Sequence, residues 1–158
     1  MANITIEYMI LIPLLILQIF LLPFAANIVM GVWTNSSATV SLQDAAAHLG
    51  SSIQQFYLFI NNPSLNSATV TNQLGIPPFI DGQTYNGVAT LTSTSGTAQV
   101  MNLTLSLQKS KISVSSIVTL GQNVRWDSSH NTFISNSTDA AISAYKYSNG
   151  TVLLAFTT

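Results

Sequence analysis

The two histidines are the residues of this chain best suited to acid–base or metal chemistry. His48 and His130 lie in unrelated segments, and neither has cysteine, histidine or carboxylate partners at the spacing of a metal site. Asp127 stands three residues before His130, in a segment whose sequence is typical of a loop. We therefore expect surface or packing roles for both histidines.

Other patterns that carry catalysis are missing from the sequence. Cysteine is absent, which excludes disulfides, thiolate metal sites and cysteine nucleophiles. The chain has no glycine-rich phosphate loop, nucleotide-binding fingerprint or nucleophile elbow. Serine is so frequent that its presence beside histidine and aspartate carries no information. The sequence predicts a protein that is not an enzyme and has no catalytic, metal-binding or cofactor-binding residues.

The chemistry that does recur is asparagine-linked glycosylation. The acceptor pattern Asn-x-Ser/Thr begins at Asn3, Asn35, Asn102, Asn136 and Asn149. Asn3 is set aside because it adjoins a long apolar segment, and the other four are the candidates. Asn136 and Asn149 are favoured because both lie in predicted turns. Sugars at these positions would form a solvated coat on an exported protein.

The composition is unusually poor in charge. Charged residues make up 6% of the 158 residues, and the net charge is −1. An ordinary soluble domain has about 25% charged residues. A nearly neutral chain has nothing to attract nucleic acid, so none is expected as a partner. The length leaves room for a long apolar segment and one domain of about 120 residues.

The element that the rest of the chain must be arranged around is the apolar run from Met9 to Trp33. It contains no charged residue, and only Gln18 and Asn27 are polar. As a helix it would span roughly 37 Å, enough to cross a bilayer. Apolar residues fall on every side, so lipid or other protein must enclose it. The predicted core residues of an assembly are Glu7, Leu14, Leu17, Phe20, Leu21, Phe24, Val29 and Trp33.

The ends of this run argue against a secretory signal peptide. Such a peptide would carry lysine or arginine before a shorter apolar core and would end in a small-residue cleavage site. The leader before Met9 has Glu7 as its only charge. We expect the run to stay in the working protein. Glu7 either pairs with a free amino terminus, its own or a neighbour's, or lies at the water-exposed end of the helix, where the dipole favours a carboxylate.

Two prolines interrupt the helical pattern of the run. Pro13 and Pro23 lack an N–H and clash with the preceding turn, which predicts kinks or local melting of the helix. Gln18 has two interpretations, a side chain bonded to nearby backbone or a contact between subunits.

The second part of the helical region follows a polar segment, residues 34–40, where we expect a bend or a loosened turn. Ser41 is then a plausible N-cap, and Asn61-Asn62-Pro63 provides the stop. The polar face with Gln43, Ser51 and Gln54 should point outward or toward a neighbour. Between the two ends, apolar residues at three- and four-residue spacing predict an amphipathic helix with one stripe: Leu42, Ala45, Ala46, Leu49, Ile53, Phe56, Tyr57 and Ile60.

The chain beyond Pro63 has the pattern of short strands separated by turn residues. Asn149-Gly150 is a strong two-residue hairpin signal, and Ser95-Gly96 is a softer one. In the run 98–107, Val100, Leu103, Leu105 and Leu107 alternate with polar residues. The predicted strands are Gly87 to Ser93, Ala98 to Leu107, Ile112 to Leu120, Thr132 to Ser135, Ala140 to Tyr147 and Thr151 to Thr158.

These elements predict an α+β protein in two parts. Residues 1–62 form the helix, with an apolar half at 1–33 and an amphipathic half at 41–61 that packs on the rest. Residues 63–158 form an antiparallel, immunoglobulin-like β-sandwich with one apolar and one hydroxyl-rich face.

In this arrangement the chain resembles an archaeal type IV pilin. The resemblance covers the plan of the whole chain: an apolar N-terminal helix, an acidic residue near its start (Glu7), a sandwich, few charges and several glycosylation acceptors. It implies a precursor trimmed by a prepilin peptidase, a membrane-inserted intermediate, and a pilus assembly machinery that lifts subunits into an extracellular adhesive filament. The partners would be copies of the chain itself, whose helices form the filament core.

Three alternatives stay open. Archaeal flagellar-filament subunits share the same plan, although we expect them to be more charged and less interrupted by proline. A single-pass, membrane-anchored surface glycoprotein with a ligand-binding β-sandwich is the rival from another class. A membrane-tethered enzyme ranks third, because the sequence offers no catalytic motif.

Overall fold

The computed structural model describes residues 2–93 and 98–157, with the backbone alone described for residues 2–7 and for Ser93. One long apolar helix is followed by two antiparallel-rich sheets, which confirms the predicted α+β class. A 3-10 helix, Ser128–His130, precedes the sixth strand. The elements of the described residues are α1 (Ala2–Ile60), β1 (Ala68–Gln73), β2 (Tyr85–Ser93), β3 (Ala98–Leu107), β4 (Ser113–Gly121), β5 (Val124–Trp126), β6 (Thr132–Ile134), β7 (Ala141–Lys146) and β8 (Val152–Thr157).

Helix α1 runs without a break through Pro13, Pro23 and the polar segment 34–40. The local melting predicted at the prolines and the loosened turn predicted at 34–40 are therefore wrong, and Ser41 is an interior helical residue rather than an N-cap. Polar side chains here bond within the helix: the Thr34 hydroxyl donates to the Met30 carbonyl at 2.8 Å. The low helix propensity of each such residue costs only a few tenths of a kcal/mol, which a long cooperative helix absorbs. Bending at the prolines stays a prediction.

The chain divides into two compact units at a point inside α1. One unit ends at Ser37 and the other begins at Ala38. The second unit contains the end of α1 together with both sheets. Helix α1 ends at Ile60, as the sequence Asn61-Asn62-Pro63 predicted.

The amphipathic stripe of α1 is part of the core of the second unit. All eight residues of the predicted stripe are buried, and Leu42, Leu49 and Ile53 are 0% exposed. Gln43, Ser51 and Gln54 are exposed, as predicted for the polar face. A Cβ on Gly50 would lie 3.0 Å from Val118 Cγ2 of β4, so the small residue allows helix and strand to approach closely.

The sheets have the strand orders β1-β7-β8-β5 and β4-β3-β2-β6. All pairings are antiparallel except β5 with β8, which are parallel. The six predicted strands are present within one or two residues at their ends, and β1 and β5 were missed. Both missed strands lie at a sheet edge: β1 is largely exposed and β5 has only three residues, so neither shows the alternation of a half-buried strand.

The inner face of β3 corrects one detail of the predicted alternation. Met101, Leu103, Leu105 and Leu107 are buried, whereas Val100 lies on the other face of the strand. The two sheets meet where Phe133 of β6 and Phe156 of β8 pack edge to face, with ring centroids 4.8 Å apart.

The hairpin predicted at Asn149-Gly150 joins β7 to β8, but its loop is longer than two residues. Tyr147 N–H donates to Thr151 O at 2.8 Å, and Gly150 N–H donates to Tyr147 O at 2.9 Å, which leaves three residues in the loop. Gly150 has φ +82°, the left-handed conformation that glycine adopts without strain. The Ser95-Gly96 turn lies outside the described residues.

Candidate assembly surface

The exposed part of α1 is the candidate functional surface. Every residue from 8 to 37 is exposed, whereas buried residues recur at helical spacing from Ala38 to Ile60. The change occurs within one continuous helix, so it reflects what surrounds each part and not a change of secondary structure. Nineteen large apolar side chains between Tyr8 and Trp33 are exposed in the single chain.

The predicted core residues lie on this surface. Leu17 is 59% exposed, and Phe20 and Trp33 are each 73% exposed. Because they occur on every side of the helix, no orientation of α1 leaves a polar face toward water. The side chain of Glu7 lies outside the described residues, so both interpretations of that carboxylate stay predictions. The remaining members of the set are exposed in the same way: Leu14, Leu21, Phe24 and Val29.

This surface carries no charged side chain. Residues 8–43 contain no aspartate, glutamate, lysine or arginine, and Asp44 is the first charge after Glu7. By length and composition α1 is a helix able to cross a membrane. Its exposed apolar side chains cost too much in water to stay uncovered, since each fully buried large side chain is worth roughly 1.5 to 3 kcal/mol. Wherever this helix is present, lipid or protein must cover its surface.

The end of α1 is held to the sheets by a hydrogen-bonded cluster around Asn123. The Asn123 amide group donates to Asn61 Oδ1 at 2.7 Å and to Gly150 O at 2.6 Å. Its carbonyl oxygen accepts from the Tyr57 hydroxyl at 2.8 Å. One side chain therefore ties the last turn of the helix to the β4–β5 turn and to the β7–β8 hairpin. Nothing in the sequence singled out Asn123 among its many asparagines.

A buried lysine adds a second attachment at the same place. Lys146 is 5% exposed, and its ammonium donates to Asn62 O at 2.7 Å, just beyond the helix. A cation beside the carbonyls that end a helix is favoured by the helix dipole. The two attachments fix the C-terminal end of α1 within the second unit.

The two histidines lie in separate elements, His48 in α1 and His130 in the 3-10 helix. His130 Nδ1 lies 2.9 Å from Asp127 Oδ2, so the structure brings together the pair noted in the sequence. Asp127 also accepts from the Ser129 backbone N–H at 2.9 Å and from the Ser129 hydroxyl at 2.8 Å, which makes it the cap of the 3-10 helix. These hydrogen bonds, the Ser129 backbone first, lower the pKa of the Asp127 carboxyl. His48 is exposed on α1 near Gly75.

One other titratable group is strongly shifted. Tyr85 is fully buried, and its hydroxyl donates to Pro77 O at 2.7 Å. Burial raises the pKa of Tyr85 to about 12, because the phenolate loses its hydration. Desolvation is the cause of the shift, so it reflects the packing of the Tyr85 ring in the core.

The four candidate glycosylation sites all present an exposed residue. Asn136 and Asn149 lie in turns, as predicted, and Asn149 Oδ1 accepts from Thr151 N–H at 3.0 Å. Asn102 lies in β3, as predicted, and Asn35 lies inside α1 rather than in a loosened turn.

Within the described residues, no group of three or more His, Cys, Asp or Glu side chains is placed to hold a metal ion. The two features described so far are a long apolar helical surface and a compact unit that holds the end of the same helix. Comparisons of the chain with protein-family models, curated proteins and solved structures gave no match.

Proposed function

We propose that this protein is a structural subunit of an extracellular, type IV pilus-like filament that polymerises through its N-terminal helix. The observation that carries the proposal is the uninterrupted exposure of residues 8–37 on a helix that is apolar on every side. In the filament, the helices of many copies bundle in the core and the second units form the outer shell. Adhesion to surfaces is the role that this architecture serves.

The size of the exposed surface supports assembly. Covering nineteen large apolar side chains is worth on the order of tens of kcal/mol relative to water, as an upper figure. The second unit has no charged surface that could compete with an interaction of that size, because the whole chain has four basic and five acidic residues. The helix therefore dominates whatever this chain associates with.

The proposal includes a membrane stage. Before assembly the helix spans the cell membrane, a prepilin peptidase trims the precursor, and a pilus assembly machinery extracts the subunit. Moving from lipid to a protein core adds little hydrophobic free energy, since lipid is already apolar. Close packing between helices and hydrogen bonds from groups such as Gln18 and Asn27 supply the difference.

The proposal extends to the sheets and to their surface. We assign the two sheets to an immunoglobulin-like sandwich, and we assign glycans to some of the sites Asn35, Asn102, Asn136 and Asn149. Asn102, Asn136 and Asn149 are exposed on the second unit, which is compatible with modification, whereas Asn35 lies on the helical surface that the filament covers and is the least favoured of the four. A neutral, hydroxyl-rich shell depends little on salt, so the filament should stay assembled in high salt.

Two alternatives are compatible with the same surface. An archaeal flagellar-type filament would use the helix in the same way. A single-pass, membrane-anchored surface glycoprotein would cover residues 8–37 with lipid alone and would present its sandwich as a monomer. Electron microscopy of cells that make this chain separates the membrane-anchored glycoprotein from the two kinds of filament subunit, because only a filament subunit yields helical polymers built of this chain.

The substitution Leu17→Arg tests the role of the helix. In a filament core the guanidinium would be buried without a partner, at a cost of several kcal/mol in every subunit. Filaments should be absent, while the variant should still enter the membrane, because arginine in a lone span can snorkel toward the headgroups. Filament yield by electron microscopy and membrane content by immunoblot measure the two effects.

Ile117→Arg is the matched control. Ile117 is 73% exposed on β4. The substitution therefore also replaces an exposed aliphatic side chain by arginine, but outside the helix. The proposal requires filaments from Ile117→Arg and none from Leu17→Arg. Normal filaments from Leu17→Arg, or recovery of the unmodified chain solely as a detergent-solubilised monomer, would falsify it.

A further inference from the structure

A cleft opens between the two sheets on the side where β5 faces β2. Its volume is about 560 Å³, which is in the range of small-molecule sites. Six of the residues that line it carry polar or aromatic groups: Thr90, Gln99, Arg125, Trp126, Ser128 and Asn131. No carboxylate is among its lining residues in the described chain. The cleft therefore combines amide and hydroxyl groups with one cation and one indole ring.

Arg125 gives the cleft its charge. It is the only arginine of the chain, and it is exposed on an edge strand of its sheet. Within the described residues no ion pair or hydrogen bond is assigned to its guanidinium. An unpaired guanidinium presents a planar set of donors that matches a carboxylate in bidentate fashion. A ligand with a carboxylate would supply the missing partner.

Trp126 contributes an aromatic wall with an unsatisfied donor. The ring packs edge to face on Phe156, with centroids 5.0 Å apart. Its Nε1 is buried and has no hydrogen-bond partner in the described chain. An unmade hydrogen bond of this kind costs about 1 to 3 kcal/mol, so it favours any acceptor brought into the cleft. Since the N–H is closed off from water, pairing requires the indole to move.

From these groups we infer that the cleft binds an acidic sugar, a hexuronate unit of a surface glycan. Sugar hydroxyls both donate and accept, as the Asn131 amide does, and the Thr90 and Gln99 side chains, whose donors bond to the Asn102 and Gln122 carbonyls at 3.4 Å, still offer acceptor oxygens. The carboxylate of the hexuronate pairs with Arg125, and an apolar face of the sugar ring packs toward Trp126. The cleft lies wholly within the second unit, so the inference goes beyond the filament proposal and does not depend on polymerisation.

The experiment uses the full chain, solubilised in detergent and labelled with 15N. The two indole N–H resonances, from Trp33 and Trp126, are distinguished by the loss of one of them in Trp126→Phe. Glucuronate, glucose and sulfate are titrated in turn. Glucuronate should shift the Trp126 resonance to saturation and leave that of Trp33 in place. Glucose, which lacks the carboxylate, should need at least about tenfold more ligand, because the charge-assisted pairing with Arg125 is lost.

Matched variants test the role of the cation. Arg125→Gln should weaken glucuronate binding by about tenfold or more. Lys111→Gln removes one positive charge from an exposed position outside the cleft lining, and it should change binding less than about twofold.

Three results overturn the inference. The first is an unmoved Trp126 resonance at about 100 mM glucuronate, where even millimolar affinity would saturate the site. The second is an equal loss of binding in Lys111→Gln and Arg125→Gln, which would reveal a nonspecific charge effect. The third is a Trp126 resonance that sulfate shifts as far as glucuronate does, which would show that the cleft binds anions without recognising the sugar. Filament formation is scored separately by microscopy, so either proposal can fail without the other.

Discussion

Replacing Asn123 by alanine tests how the end of α1 is attached to the sheets. The side chain makes three hydrogen bonds, to Tyr57, Asn61 and Gly150, at 2.6 to 2.8 Å. The backbone carbonyl of residue 123, which accepts from Val152 N–H, is unaffected by the change. Asn123→Ala therefore removes the side-chain cluster and keeps the main-chain connection.

The expected loss of stability follows from the count of hydrogen bonds. Three hydrogen bonds at a net value of about 1 kcal/mol each give roughly 3 kcal/mol. The spread of such values makes the expected loss about 2 to 4 kcal/mol. For a unit of roughly 120 residues this lowers Tm by roughly 10 °C. Tyr57→Phe removes the bond to Asn123 and the one that the Tyr57 hydroxyl accepts from the Gly121 backbone, and it should cost about 1 to 2 kcal/mol.

The assay is thermal and urea unfolding of the detergent-solubilised full chain, followed by near-UV circular dichroism. The variants are Asn123→Ala, Tyr57→Phe and the double variant, with Asn86→Ala as control. Asn86 is exposed on β2, and its side chain accepts one hydrogen bond, from Gln108 at 2.9 Å. The two single changes should couple by about 1 kcal/mol, because both remove the same Tyr57–Asn123 bond.

The reasoning is refuted if Asn123→Ala costs no more than Asn86→Ala. A coupling energy near zero between Tyr57 and Asn123 would refute it as well, since the cycle isolates their shared hydrogen bond. Either result would mean that the apolar stripe alone holds the helix end in place.

Three further predictions concern packing, pH and modification. Gly87→Ala places a methyl group against the ring of Phe133 and should cost about 1 to 3 kcal/mol in urea unfolding, whereas Gly31→Ala, with open space around it, should leave the second unit unchanged. Tyr85 has its pKa raised from 10.0 to about 12 in the folded chain, so its contribution to stability is complete below pH 10 and is lost as pH rises through about 12. The free energy of unfolding, measured by urea unfolding at several pH values from 8 to 12, should therefore fall with rising pH, and it should fall less in Tyr85→Phe. Intact mass of the filament subunit should exceed the peptide mass by whole glycans, and Asn149→Gln should remove one of them; a mass equal to the bare peptide contradicts the glycosylation proposal.

Much of the fold was predictable because its signals are local. The stripe from Leu42 to Ile60 follows the 3.6-residue period of a helix packed on one side, and all of its predicted residues are buried. The strand β3 was predicted at the limits it has, Ala98–Leu107, because alternation along ten residues is a strong signal. The need to cover the apolar surface of residues 8–33 could be predicted from composition alone, since a helix without a polar face cannot stay exposed to water.

The misses occurred where local preference and tertiary context disagree. Residues 34–40 have low helix propensity, but the helix continues through them. Adding a residue to a helix that already exists costs much less than starting a new helix. The edge strands β1 and β5 exist because they pair with β7 and β8, and their own sequences show little of the pattern that buried strands show.

The sequence by itself therefore determined the long apolar helix, the amphipathic stripe, most of the strands and the need for a cover over residues 8–33, because all of these depend on residue type at short spacing. Only the tertiary structure decided which distant residues meet. Asn123 bonds to Tyr57 across 66 positions of sequence, and Arg125 and Trp126 share a cleft with Thr90 and Gln99. Such meetings follow from strand order and register, which a periodic pattern along one chain does not contain.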